Sequence, residues 1–233
     1  MEWKIPKLWE GGECWIIGGG PSMPRQFGVP EDVISDVHDK KISPSAYSPY
    51  LSPIHGKHII AVNAAFYIGR WMDIVFFGDG GFYFKNKKPL SEFPNLVVSC
   101  NPNVYGRPNV YGVKYVARDG NHPLGITTKR NKVSWNKHTG GAAINFAYHL
   151  GVKRILLLGF DMQLDEQGNQ HWHSVYPSAN SKPRLKKQLP FRKHLESFHP
   201  IHNDAERLGI EILNVNMDSA VPHIKKVRLE ETL

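Results

Sequence analysis

The chain has 233 residues, of which 41% are hydrophobic, 21% charged and 11% aromatic, and its formal net charge is +8. This composition excludes a disordered chain, a collagen-like repeat and a disulfide-stapled miniprotein, and the length suits one domain with room for a sizeable core. The charge is uneven: residues 120–195 hold 12 lysines and arginines against three acids, Asp161, Asp165 and Glu166, whereas the remainder carries 17 bases and 18 acids. A positive field confined to one region attracts a nucleotide phosphate, a nucleic acid or another anionic polymer, and is equally the mark of a solvated basic face. No aromatic-basic motif of a known nucleic-acid module accompanies it. The longest apolar runs, such as Ile155–Leu158, fall far short of the roughly 20 residues that cross a bilayer. The charged start, Met1-Glu2-Trp3-Lys4, contains no signal core. A cytoplasmic protein is therefore expected, with Cys14 and Cys100 as reduced core thiols.

Taken in chain order, Glu13–Ile17 reads as a buried strand entering the tight turn Gly18-Gly19-Gly20-Pro21-Ser22. Residues 38–56, rich in serine, proline, histidine and tyrosine, read as loop. Apolar strands follow at His58–Val62, stopping at Asn63, and at Asp73–Phe77, stopping at Gly78-Asp79-Gly80-Gly81. Leu96–Ser99 and Val113–Ala117 are further short strands, and residues 118–138 are polar, basic and aperiodic. Thr139 is positioned to cap a helix running to Leu150, with Ala143, Phe146, Ala147 and Leu150 on one face and Gly151 as its left-handed stop. Lys153–Leu158 is a strand ending at Gly159-Phe160-Asp161. A basic loop or lid spans about 162–190, a helix is predicted over Phe191–Leu208, and a last strand over Ile210–Val215. Apolar strands alternating with helices predict a doubly wound α/β domain spanning 1–233. Ligands of that fold bind beyond the carboxyl ends of the strands, where these glycine and polar residues collect.

The chemistry available there is anion binding. The glycine turn at Gly18, Gly19 and Gly20 lets backbone N–H groups approach a phosphate, and Ser22 adds a hydroxyl. It is neither G-x-G-x-x-G, since position 23 is Met23, nor a P-loop. Thr139-Gly140-Gly141 opens a helix whose N–H groups and dipole suit a phosphate or carboxylate. Asn63 serves either a ligand or its own turn; Asp79 suits a metal-bound diphosphate or a structural turn; Asp161 suits a ligand or a cap. His171 and His173 lie two apart in the basic loop, where a histidine can act as general base near neutral pH. No third ligand completes a zinc site around them.

The order of these pieces is more specific than any one of them: a strand into Gly-Pro-Ser, a strand into Asn63, an Asp-Ile strand into Gly-Asp, Thr-Gly-Gly opening a helix, then Leu-Gly-Val-Lys-Arg-Ile-Leu-Leu-Leu-Gly-Phe-Asp. This resembles the superfamily that joins bacterial lipooligosaccharide sialyltransferases with 6-hydroxymethylpterin diphosphokinase-like proteins and motility accessory factors, including versions carried by tailed phages. The resemblance covers roughly residues 13–219. It implies a Rossmann-like fold and a nucleotide-phosphate loop at Gly18, Gly20, Pro21 and Ser22. Asn63, Thr139, Gly140, Gly159 and Asp161 would surround it. The His173-Ser174 pair resembles the sialyltransferases' His-Ser, which makes His173 the implied base. Asn216-Met217-Asp218-Ser219 resembles their polar turn beside the nucleotide, and Tyr176 stands in for a phosphate-binding tyrosine. Gly78-Asp79-Gly80 departs from the sialyltransferases' Asn-Pro-Ser and looks more like the diphosphokinase branch.

The expected function is transfer from a nucleotide-activated sugar with no required cofactor. One alternative is a magnesium-dependent diphosphokinase-like transferase with Asp79 and Asp161 on the metal. Another is a non-catalytic phage accessory protein, resident in the host cytoplasm, that binds a nucleotide or nucleic acid.

Overall fold

A computed structural model of the chain describes residues 3–104, 112–175 and 189–233. The strands are β1 (Glu13–Ile17), β2 (Ile59–Val62), β3 (Ile74–Phe77), β4 (Leu96–Ser99), β5 (Val113–Tyr115), β6 (Ala117–Arg118), β7 (Lys132–Val133), β8 (Arg154–Leu158), β9 (Glu211–Asn214) and β10 (Lys225–Lys226). The α-helices are α1 (Ser22–Gln26), α2 (Glu31–His38), α3 (Gly80–Lys85), α4 (Lys87–Ser91), α5 (Thr139–Leu150), α6 (Phe191–Leu195) and α7 (Phe198–Leu208). None of the described helices is long and apolar enough to cross a membrane.

Eight strands form one parallel sheet in the order β10-β9-β8-β1-β2-β3-β4-β5. The chain builds outward from β1 in one direction, then returns to lay β8, β9 and β10 on the other side. The switch point of this doubly wound sheet therefore lies between β1 and β8, where such folds open a crevice.

Alternation along the strands explains why they read as unbroken apolar runs. Trp15, Ile17, Ala61, Phe77, Leu156 and Leu158 bury in one core, while Cys14, Ile16, Ile60, Val62, Phe76 and Leu157 bury in the other. Both faces are covered, so neither can be polar. Cys14 and Cys100 are buried free thiols, as expected. Helix α5 lies over β1, β2 and β3 and is buried on nearly every side, with Tyr148 alone among its residues partly exposed. Its Phe146 ring packs on Phe76 at a centroid distance of 5.2 Å. Burying a phenylalanine this completely contributes about 2 kcal/mol.

Three expectations are corrected. The predicted Val113–Ala117 strand divides: β5 stays in the main sheet, while β6 leaves it and pairs with β7. The predicted Phe191–Leu208 helix breaks at Glu196 and Ser197, because the Ser197 hydroxyl donates back to the His194 carbonyl at 2.7 Å and closes the first piece. Within 38–56 the chain forms two short 3₁₀ turns, Pro44–Tyr47 and Ser52–Ile54, rather than plain loop.

The aperiodic segment between β6 and α5 is ordered by side chains. The Asn136 amide accepts from Gly125 N at 2.7 Å and donates to Gly125 O at 2.9 Å. Buried Asn145 on α5 accepts from Ser134 N at 2.7 Å and Thr127 N at 3.1 Å. These bonds hold the segment against α5 and present Trp135, Lys137 and His138 at the strand ends.

Candidate functional site

At the switch point a cavity of about 460 Å³ opens over the carboxyl ends of β8, β1, β2, β3 and the start of α5. That volume suits a nucleotide-sized ligand. Of the expected residues, Gly18, Gly19, Gly20, Asn63, Asp79, Thr139, Gly140 and Asp161 line it. His171, one of the two candidate bases, also lines it, and the structure adds Asn101, Arg118, Trp135, His138 and His194 to its wall.

The floor is made by two glycine loops in contact. Gly20 N donates to Gly159 O at 2.8 Å. A Cβ on Gly20 would stand 2.6 Å from that same carbonyl, and Gly159 itself adopts φ +69°. The Gly18 and Gly20 N–H groups thus serve the floor rather than a ligand, since Gly18 N donates to Leu158 O. Among the described residues, the N–H groups of Gly19, Thr139 and Gly140 have no hydrogen-bond acceptor. Those three remain for an anion.

Asp161 is the strut beneath. Its carboxylate accepts from Ser22 N at 2.8 Å, Ser22 Oγ at 2.6 Å and Asn216 Nδ2 at 3.0 Å. Burial pushes its pKa up, and the Ser22 and Asn216 bonds oppose that shift. Ser22 is therefore committed to the strut, and with Pro21 it faces neighbouring clefts instead of the cavity. This corrects the reading of Ser22 as a ligand hydroxyl. Ser219 is corrected likewise: it is buried, donates to Phe160 O at 2.7 Å and accepts from Asn214 Nδ2 at 2.9 Å, bracing the turn after β8.

Thr139 does not cap α5. The cap is His138, whose Nδ1 accepts from Gly141 N at 3.1 Å while its Nε2 lies 3.1 Å from Ser197 Oγ. A ring nitrogen replaces the usual hydroxyl, and Gly141 is occupied by it. Burial, first, and neighbouring His194 hold His138 well below the usual histidine range, so it stays neutral and can accept. Asp79 caps α3 through Gly81 N at 2.8 Å. Asn63 takes φ +52° at the end of β2, and its buried Oδ1 has no hydrogen-bond partner among the described residues. An asparagine tolerates that backbone region best among side-chain-bearing residues, and an orphaned buried acceptor marks a place where a donor is missing.

The basic loop is not a detached flap in its first half. Buried Trp172 donates from its indole to Gly18 O at 3.0 Å and from its backbone N to Gly19 O at 3.0 Å. This pins the loop to the glycine turn and sets His171 at the cavity wall, with a hydrogen bond to the Gly19 backbone. Burial holds the His171 pKa down at about 4. His173, the expected base, stacks on His171 at 5.1 Å but lines a different cleft with Val37, Lys40 and Ser43. His173 thus stands behind the cavity wall, and of the two histidines it is His171 that lines the cavity. Tyr176 and the rest of the expected lid through residue 188 lie outside the described residues.

The metal alternative fits poorly. Both Asp161 oxygens accept protein hydrogen bonds, Asp79 Oδ1 is used as a cap, and among the described residues no group of three acidic, histidine or cysteine side chains is arranged to hold a metal.

No protein-family model matches the chain, and no curated protein is similar to it. Its fold is similar to that of the MAf glycosyltransferase from Magnetospirillum magneticum AMB-1, with a TM-score of 0.58 and 13% identity over 99% of this chain and 36% of that one. The chain thus spans little more than a third of that enzyme's chain. A weaker likeness, with a TM-score of 0.48 and 12% identity over 94% of this chain and 85% of the other, is to the sialyltransferase CstII from Campylobacter jejuni, solved with cytidine-5'-monophosphate.

Proposed function

We propose that this chain is a glycosyltransferase-like transferase that binds a nucleotide-activated sugar in the switch-point cavity. The observation that carries the reading is that the acceptor-less N–H groups of Gly19 and of Thr139 and Gly140 border one cavity. Oriented amide dipoles and a helix start favour a phosphate, and favour it more as negative charge develops on a leaving nucleotide. Asn63 offers its buried Oδ1 to a hydroxyl or amine of the ligand. The whole chain acts as one nucleotide-binding unit.

His171 is the base that takes the proton of the acceptor hydroxyl. A neutral imidazole carries one acceptor nitrogen, and burial keeps this imidazole neutral, with its pKa lowered to about 4. An anionic donor beside it raises that value toward the working pH. His173 supports it from behind as the stacked ring. The MAf enzyme shares the fold and is a glycosyltransferase by name; that likeness is consistent with the reading.

The test is release of nucleotide from CMP-, UDP- and GDP-sugars, followed with and without EDTA. Turnover that survives EDTA and is lost in His171→Gln is expected. ATP-dependent diphosphate transfer abolished by EDTA would replace this reading with the magnesium one.

A further inference from the structure

Arg118 leaves the main sheet on β6 and places its guanidinium on the cavity wall. Nε donates to Cys100 O at 2.9 Å and Nη2 donates to Gly78 O at 2.6 Å. Its planar face lies 3.6 Å from the centroid of the Trp135 ring. Two carbonyls and a stacked indole fix this cation in a single orientation, which a lysine could not reproduce.

Among the described residues the charge has no ion-pair partner. Among the described residues no carboxylate comes within 4.0 Å of Arg118. Asp79, at the same end of the cavity, is beyond that distance and is engaged with Gly81 N. Lys137, the other cation on the wall, is already paired with Glu196. A partly buried, rigid and uncompensated guanidinium in a cavity is a site for an oxyanion.

Its position separates it from the phosphate-binding turn. Gly78 and Cys100 follow β3 and β4, which are two and three strands from β1. At about 4.8 Å per strand, the guanidinium stands roughly 10–15 Å along the sheet edge from Gly18–Gly20.

We infer that Arg118, seated on Trp135, is a second oxyanion subsite of this cavity, which reads a carboxylate or a phosphate on the part of the ligand that lies beyond the nucleotide. The words "beyond the nucleotide" rest on the proposed function; the oxyanion subsite itself does not. It sets specificity by leaving the guanidinium desolvated and unpaired when a neutral ligand occupies the cavity.

The test is calorimetric titration of the wild type, Arg118→Gln and Arg118→Lys with ligand pairs that differ in one charged group. UDP-glucose against UDP-glucuronate and GDP-mannose against GDP-mannuronate supply the carboxylate arm on a nucleotide. Glucose against glucuronate and against glucose 6-phosphate supply both sources without one, and UDP and GDP alone read the phosphate site. The wild type is expected to favour the charged member of at least one pair by 10-fold or more. Arg118→Gln should reduce that preference below about 3-fold with UDP or GDP affinity unchanged, and Arg118→Lys should fall between. The pairs that respond tell carboxylate from phosphate.

Absence of any charged-ligand preference in the wild type overturns the inference, as does a preference that survives Arg118→Gln. Equal loss of UDP and UDP-glucuronate binding overturns it too, since Arg118 would then belong to the phosphate site. If Arg118→Gln fails to fold, as loss of its two carbonyl bonds could cause, Arg118→Lys decides: an unreduced preference there contradicts a planar subsite. Arg118-dependent binding of free glucuronate or glucose 6-phosphate by a protein that binds none of the nucleotides or nucleotide sugars would uphold the subsite and defeat the proposed function instead.

Discussion

Gly19 and Gly20 lack a side chain for different reasons. A Cβ on Gly19 would stand 2.9 Å from His171 Nδ1, an atom of a buried ring that must shift to admit it, whereas a Cβ on Gly20 would meet the Gly159 carbonyl and the Asp161 carboxyl, both at 2.6 or 2.7 Å. Gly19→Ala is therefore expected to keep the fold and to weaken nucleotide binding, because the methyl group displaces the His171 ring on the wall of the cavity that the Gly19 N–H borders. Gly20→Val is expected to break the floor and lower stability by several kcal/mol, about the cost of overpacking together with a lost strut. Thermal midpoints of the two variants separate these outcomes. For the histidines, His171→Gln is expected to lower turnover by roughly 100-fold with donor affinity nearly intact, and His173→Gln by much less. A larger loss from His173 would restore it as the base. The sequence places Gly18, Gly20 and Asp161 just past strand ends, and the structure puts all three on the cavity wall, where they brace its floor. The sequence does not say which histidine faces the cavity. That is decided by Trp172, whose anchors are the carbonyls of Gly18 and Gly19 on a distant part of the chain, and no local pattern encodes such a contact.

At the scale of elements, the apolar strands and α5 are legible because burial on both faces leaves a run of aliphatic residues, and Gly151 stops α5 at φ +94° as its position suggests. The two-residue strands β7 and β10 are not, since Lys132–Val133 and Lys225–Lys226 carry no periodicity and exist only by pairing. The 118–138 segment is likewise silent in the sequence: its order comes from Asn136 and Asn145 satisfying backbone groups far along the chain. Removing one of these amides exposes the dependence. Asn145→Ala is expected to cost about 2 kcal/mol, since the buried Ser134 N–H loses its acceptor and Thr127 N keeps only its bond to the Ser134 hydroxyl. Denaturant unfolding reads this directly. A loss below about 1 kcal/mol would mean that the segment is held by packing alone.

At the scale of the whole molecule, the basic excess is partly offset in space. Lys129 meets Asp119, Lys137 meets Glu196, and Arg154 meets Glu13 and Glu211. Binding to heparin or DNA, if the basic region serves it, is expected to fall steeply with salt; indifference at low salt leaves a solvated face. The histidines set the acid limit of the fold. Burial lowers His171, His194 and His149 from an ordinary 6.5 to about 4. Between those values the unfolded chain binds protons that the folded protein refuses, so the contribution of these three histidines to stability falls as pH drops from about 6.5 toward 4. The melting temperature is expected to be several degrees lower at pH 5 than at pH 7, with a shallower dependence in His194→Gln.

The claim on which the rest depends is that nucleotide phosphates bind at Gly19 and the start of α5. Calorimetric titration of the wild type and Gly19→Ala with CMP, UDP, GDP and ADP tests it most directly. At least one nucleotide is expected to bind the wild type and, at 100 times its dissociation constant, to add about 2.7 kcal/mol of stability. That binding should weaken by 10-fold or more in a Gly19→Ala protein whose own melting temperature is unchanged. No binding of any nucleotide, or equal affinity in the two proteins, would contradict it.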